Sequence, residues 1–123
     1  MKKNIRGIMY TGALLAGLSL GGASHAAQPV RLVVAFPPGG PADTLARVLA
    51  KELADELKDS VIVENKPGAN GAIAITYVMR GPADGSVLFL SSAGAIAINP
   101  ALYPSLPYKP QEDLTPISLV VHT

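Results

Sequence analysis

The chain has 123 residues, 49% of them hydrophobic and 15% charged, a balance that supports a packed core and excludes disorder by composition. It has no cysteine, which excludes disulfides, Cys-ligated zinc and Cys nucleophiles together, and with no tryptophan and 5% aromatics it lacks the makings of a base-stacking platform. The formal charge of +1 comes from the first residues: with Lys2, Lys3 and Arg6 set aside, seven basic and nine acidic residues remain, leaving no basic face for nucleic acid.

Residues 1–26 read as a secretory signal peptide. Lys2, Lys3 and Arg6 form the positive start, Ile8 to Leu20 the apolar stretch, and Ser24-His25-Ala26 a small-x-small cleavage site. The uncharged run from Gly7 to Ala27 is long enough to span a bilayer, but its five glycines and its Gly- and Ser-rich end favour cleavage after Ala26 over anchoring. The absence of Cys at that point excludes a lipid anchor. Residues 27–123 are then expected to work outside the cytoplasmic membrane, held together by their core alone.

Arg31 to Phe36 is an apolar run bounded by Pro29 and Pro37, the pattern of a strand covered on both faces. The breaker cluster Pro37-Pro-Gly-Gly-Pro41 leads into a helix expected over about 42–58, with Leu45, Val48, Leu49, Leu53 and Leu57 as its apolar face. Val61 to Glu64 is a second strand. Asn65-Lys-Pro-Gly-Ala-Asn-Gly71 is a second breaker cluster, and the helix after it has Ile73, Tyr77 and Val78 on one face. Gly81-Pro-Ala-Asp-Gly85 turns the chain into a third strand, Val87 to Ser91. The alternation predicts an α/β fold, a βαβαβ unit with a parallel sheet. Beyond it, Ala93 to Leu102 is expected to hold a short helix interrupted at Asn99-Pro100, Tyr103 to Pro110 an extended connector, and Ile117 to Val121 a fourth strand.

Three glycine-bearing loops leave the carboxyl ends of these strands, where open α/β sheets bind ligands: Pro37 to Pro41, Pro67 to Gly71 and Ser91 to Gly94. Glycine lets backbone approach a ligand, helix N-termini favour anions, and Ser91 and Ser92 add hydroxyl donors. Two readings stand side by side: a carboxylate held by main-chain amides and hydroxyls, or ordinary punctuation of a parallel sheet. Nucleotide binding is disfavoured, because Phe36 to Thr44 matches neither G-x-G-x-x-G nor the P-loop spacing and Pro41 removes an amide. No catalytic set stands out: Ser91 and Ser92 lack a G-x-S-x-G elbow and a placed base, and His122 is the one histidine after the leader. Metal-ligand spacing is absent. Asp59, Asp84 and Asp113 read as turn residues, Phe36, Tyr77 and Phe89 as core, and Tyr103 and Tyr108 as packing or cleft residues.

Arg31-Leu-Val-Val-Ala-Phe-Pro-Pro-Gly-Gly-Pro-Ala-Asp-Thr-Leu-Ala-Arg47 resembles the opening of the tripartite tricarboxylate transporter solute-binding proteins, the Bug-type (TctC) receptors. Val63-Glu-Asn-Lys-Pro-Gly-Ala-Asn-Gly-Ala72, Gly81 to Gly85, Leu88 to Ser92, Ile98 to Tyr103 and Tyr108 to Val120 resemble later blocks of the same family, in the same order. The resemblance implies a periplasmic receptor of the type II periplasmic-binding-protein-like fold, whose two lobes close on a small carboxylate, a di- or tricarboxylate or similar. It implies delivery to the membrane permease subunits of an ion-driven transporter, without ATP, cofactor or nucleic acid and as a monomer. Carried over by position, it assigns ligand binding to Gly39, Gly40, Ser91, Ser92 and Gly94, with Asp43 positioning water or the first helical turn and Asn70 as a further candidate. Residues 27–123 would be part of the first lobe, with the second lobe absent, so weak binding is expected of this portion alone. The alternatives are an exported α/β hydrolase using Ser91 or Ser92, and a periplasmic ligand sensor.

Overall fold

The computed structural model describes residues 28–122, so the expected signal peptide lies outside the described residues. Three strands, β1 (Val30–Val34), β2 (Val61–Asn65) and β3 (Val87–Leu90), form a parallel sheet in the order β2-β1-β3. The register runs from Val30 opposite Val61 to Val34 opposite Asn65, and from Arg31 opposite Val87 to Val34 opposite Leu90. The central strand is apolar throughout its second half because both faces are covered: Leu32, Val33 and Val34 are buried.

Helices α1 (Pro41–Leu57) and α2 (Ala72–Val78) cover opposite faces. Leu32 and Val34 pack with Ala46 and Ala50 of α1, whereas Val33 and Ala35 pack with Ala74 of α2, and Phe36 reaches both clusters. A strand's alternation sends successive side chains to the two layers. The strand order reverses at β1, so the loops after β1 and β3 leave neighbouring carboxyl ends, the usual ligand position in such sheets.

Several expectations need correction. The buried stripe of α1 is Asp43, Ala46 and Ala50, while Val48 is 59% and Leu57 52% exposed. Small residues let the helix approach the sheet, so the stripe is set by alanines and the larger Leu45, Leu49 and Leu53 flank it. In α2, Ile73 is exposed and Ala74 and Ile75 are buried. Tyr77 is half-buried and polar in role: its hydroxyl accepts from Arg31 at 3.0 Å and donates to Glu64 at 2.8 Å. Asn99-Pro100 does not interrupt the helical stretch. A π-helical turn, Gly94–Ile98, runs into α3 (Asn99–Leu102) with Pro100 as its second residue, and the Ala95 carbonyl in the preceding turn accepts from the Tyr108 hydroxyl instead. A short α4 (Pro110–Asp113) follows. Residues 117–121 form no strand: Ile117 and Leu119 are exposed, and the segment pairs with neither open edge of the sheet, β2 or β3, so its β-forming residues join no ladder.

Candidate functional site at the carboxyl edge of the sheet

All three loops lie at the carboxyl ends of the parallel strands. Lys66 N–H donates to the Val34 carbonyl at 2.8 Å, and Ala35 N–H to the Leu90 carbonyl at 3.4 Å, which extends the pairing one step past the strands and holds the loop roots together.

The first loop is built around Asp43. Its carboxylate, 3% exposed, accepts from Gly39 N–H at 2.9 Å, Arg47 Nε at 2.9 Å, Arg47 Nη2 at 3.1 Å and Asn65 Nδ2 at 2.9 Å. Four donors fill the acceptor capacity of a carboxylate. The paired Arg47 guanidinium, then the Gly39 amide and the Asn65 carboxamide, hold the Asp43 pKa down to about 2. Asn65 also donates to the Phe36 carbonyl at 3.1 Å, so the end of β2 fastens the loop after β1. Asp43 therefore shapes the loop with its side chain already satisfied. Gly39, at φ +83°, adopts a conformation that L side chains rarely take and spends its amide on Asp43. Gly40 caps α1 with extended backbone and no side-chain cap, Pro41 has no N–H, and the first intrahelical bond is Thr44 N–H to Gly40 C=O. The amides of Ala42 and Asp43 are left at an uncapped helix start, where the dipole favours an anion.

The second and third loops interlock. Gly94 is buried, and a Cβ there would lie 2.5 Å from Asn70 Oδ1; a Cβ on Gly71 would lie 2.7 Å from the Ala95 Cβ. Both glycines are thus required by packing. Asn70 donates from Nδ2 to Asn99 Oδ1 at 2.8 Å, and Asn99 Nδ2 returns a bond to the Asn70 carbonyl at 3.1 Å. Ser91 and Ser92 are half-buried, and the Ser91 hydroxyl bonds the Ser92 carbonyl at 3.3 Å rather than a base. Among the described residues no three His, Cys, Asp or Glu side chains gather as metal ligands, and the one histidine, His122, is exposed. A hollow of about 420 Å³ lies beside α2 among Lys66, Ala72, Ile73, Thr76, Tyr77 and Arg80 and takes no residue from the first or third loop.

Sequence reasoning missed Asn65, Arg47 and Asn99, while Tyr108, expected in packing or the cleft, is buried in packing. The i, i+4 spacing of Asp43 and Arg47 was a readable signal, since such pairs meet on a helix. Asn65 and Asn99 become visible only when the loops are folded together.

A family model described as the tripartite tricarboxylate transporter family receptor matches residues 45–123. The chain belongs to that family. Protein BugT of Bordetella pertussis is 46% identical over 98 residues, covering 79% of this chain and 30% of that protein. A UPF0065 protein of Agrobacterium vitis is 34% identical over 120 residues, covering 98% of this chain and 34% of that protein. Among solved structures, MatC of Rhodopseudomonas palustris with bound malate is similar at a TM-score of 0.70 and 39% identity, covering 75% of this chain and 31% of that one. A second R. palustris protein, solved with adipate, is similar at a TM-score of 0.62 and 37% identity, covering 68% and 28%. The chain spans about a third of the length of the curated relatives it matches. The family and its structural neighbours are periplasmic binding proteins, and the parallel α/β sheet is the part of their fold that this chain contains.

Proposed function

We propose that this chain is part of the first lobe of an extracytoplasmic solute-binding receptor that captures a small carboxylate for a tripartite secondary transporter. The observation that carries the reading is the similarity, over 75% of the chain, to a receptor whose structure holds malate, a dicarboxylate; the adipate-bound neighbour supports the same ligand class. The chemistry of the edge agrees with it. An uncapped helix start, Gly40 and the hydroxyls of Ser91 and Ser92 offer uncharged donors for carboxylate oxygens. Gly39 and Asp43 shape the first loop, and Asn70 and Gly94 the other two. The acidic balance of residues 27–123 is no obstacle, because the attraction comes from oriented amides. Residues 1–26 direct export to the periplasm and are removed after Ala26. The rest of the receptor closes the cleft, and permease subunits take up the ligand.

Thermal-shift screening of the leader-free chain against mono-, di- and tricarboxylates, amino acids and neutral sugars tests this. A ligand that binds only the native state raises the melting temperature by mass action. The expected result is a concentration-dependent rise with a dicarboxylate. A rise with a sugar and none with any carboxylate refutes the reading.

A further inference from the structure

The second loop holds an unusual backbone. Four successive residues, Gly68, Ala69, Asn70 and Gly71, have φ of +124°, +47°, +49° and +89°. Two of them carry side chains, and a left-handed conformation is costly for such residues, so it persists only where neighbouring structure enforces it. The enforcing group is Asn99. Its side chain is among the most buried in the protein, 1% exposed, and every polar hydrogen of its carboxamide is used. Nδ2 donates to the Asn70 carbonyl at 3.1 Å and to the Tyr108 hydroxyl at 2.9 Å, while Oδ1 accepts from Asn70 Nδ2 at 2.8 Å. Tyr108, also buried, donates in turn to the Ala95 carbonyl at 3.0 Å.

This arrangement does more than fill space. Gripping Asn70 by both its side chain and its own carbonyl fixes the side-chain rotamer and the plane of the peptide that follows it. Gly94 lies against the Asn70 carboxamide with no room for a Cβ, so the bare backbone there is what admits the Asn70 side chain. The second loop is therefore placed by residues about thirty positions away, from the helical stretch after β3.

We propose that Asn99, backed by Tyr108, is the positioning residue of the ligand edge: its grip on Asn70 holds the left-handed turn 68–71 and so sets the direction of the peptide groups that this loop presents. The proposal rests on the carboxylate-receptor reading for its consequence in binding, but its structural half is separately measurable. Two amides report the turn directly, Gly71 N–H on the Gly68 carbonyl and Ala72 N–H on the Ala69 carbonyl.

Amide hydrogen exchange by NMR is measured on the full chain and on Asn99→Ala, Asn99→Asp and Tyr108→Phe, with malate and adipate titrated into each. In Asn99→Ala, exchange at Gly71 and Ala72 rises at least tenfold relative to the amides of β1, and carboxylate affinity falls at least fivefold below the melting temperature. Asn99→Asp keeps an acceptor for Asn70 but sets a buried carboxylate oxygen against the Asn70 carbonyl, so its effect at these amides is at least that of Asn99→Ala. Tyr108→Phe keeps the ring and removes one acceptor of Asn99, and it gives a rise of about twofold to threefold at the same amides. This variant decides the matter if Asn99→Ala does not fold. Exchange that rises equally in β1 and in the turn, or not at all, overturns the proposal, as does unchanged affinity in a folded Asn99→Ala. If the unmodified chain binds neither probe, the receptor reading is what has failed, and the exchange contrast still decides whether Asn99 positions the turn.

Discussion

At one sheet edge, the loop after β1 hangs on a carboxylate with four donors, whereas the loop after β2 hangs on two carboxamides and a phenol. The first clamp tolerates water: Arg47 is 58% exposed and still makes a bidentate pair with a buried Asp43. The second depends on close approach, with two glycines pressed against neighbours and Asn99 and Tyr108 sealed from solvent. A charge-assisted clamp can be released by protons. A neutral clamp of hydrogen bonds has no such release and is broken by volume instead. The two loops should therefore fail under different perturbations.

The largest expected effect is on the neutral side. In Gly71→Ala the new Cβ must displace Ala95 and adopt a positive φ, two penalties that sum to about 3 kcal/mol. The urea midpoint should fall accordingly at every pH. Gly85→Ala is the control, because its φ is equally positive but its Cβ would meet nothing within 4 Å. It should lose only the conformational part, about 1 kcal/mol. Equal losses in the two variants would show that the interlock of the loops contributes nothing.

The charged side should respond to acid. The folded pKa of Asp43, about 2, lies below its ordinary 3.8, so the carboxylate form is favoured by the fold. Its contribution is complete above the ordinary value and is lost as pH falls from about 4 towards 2. Asp43→Asn should be less stable than the unmodified chain at pH 7. The gap between them should close across that acidic window, as read from urea midpoints at each pH. A gap that stays constant down to pH 2 would mean that the ion pair with Arg47 is not what holds the loop.

The comparison also explains what the residues revealed before folding. Strands, breakers and βα alternation are local patterns, and β1, β2, β3 and the two crossover helices follow from them closely. The three glycine loops were legible for the same reason, since turns advertise themselves through Gly and Pro. The clamps were not. Asn65 and Asn99 act across 22 and 29 positions of sequence, and nothing in their neighbours marks them. Residues 117–121 mislead in the opposite way: Ile117, Leu119, Val120 and Val121 have strand-forming character, but the segment pairs with neither edge strand, and that character counts only where a ladder forms.

Helix α1 supplies the smallest test, and it separates hydrophobicity from position. The apolar spacing of Leu45, Val48, Leu49, Leu53 and Leu57 points to one face, yet the helix meets the sheet on the stripe of Asp43, Ala46 and Ala50. The reason lies in the first clamp. Asp43 must face inward to collect Gly39 and Asn65, and residues three and seven further along the helix then lie on the same side. Alanine is what fits there, because the helix axis is drawn close to β1 and β2. Ala46→Leu should consequently cost about 2 kcal/mol by overpacking against Leu32 and Val34. Val48→Ser, at a position 59% exposed, should change stability by no more than about 0.5 kcal/mol. The reverse order of these two losses would put the helix on the face that its hydrophobic spacing alone suggests, and would remove the geometric basis for the Asp43 clamp.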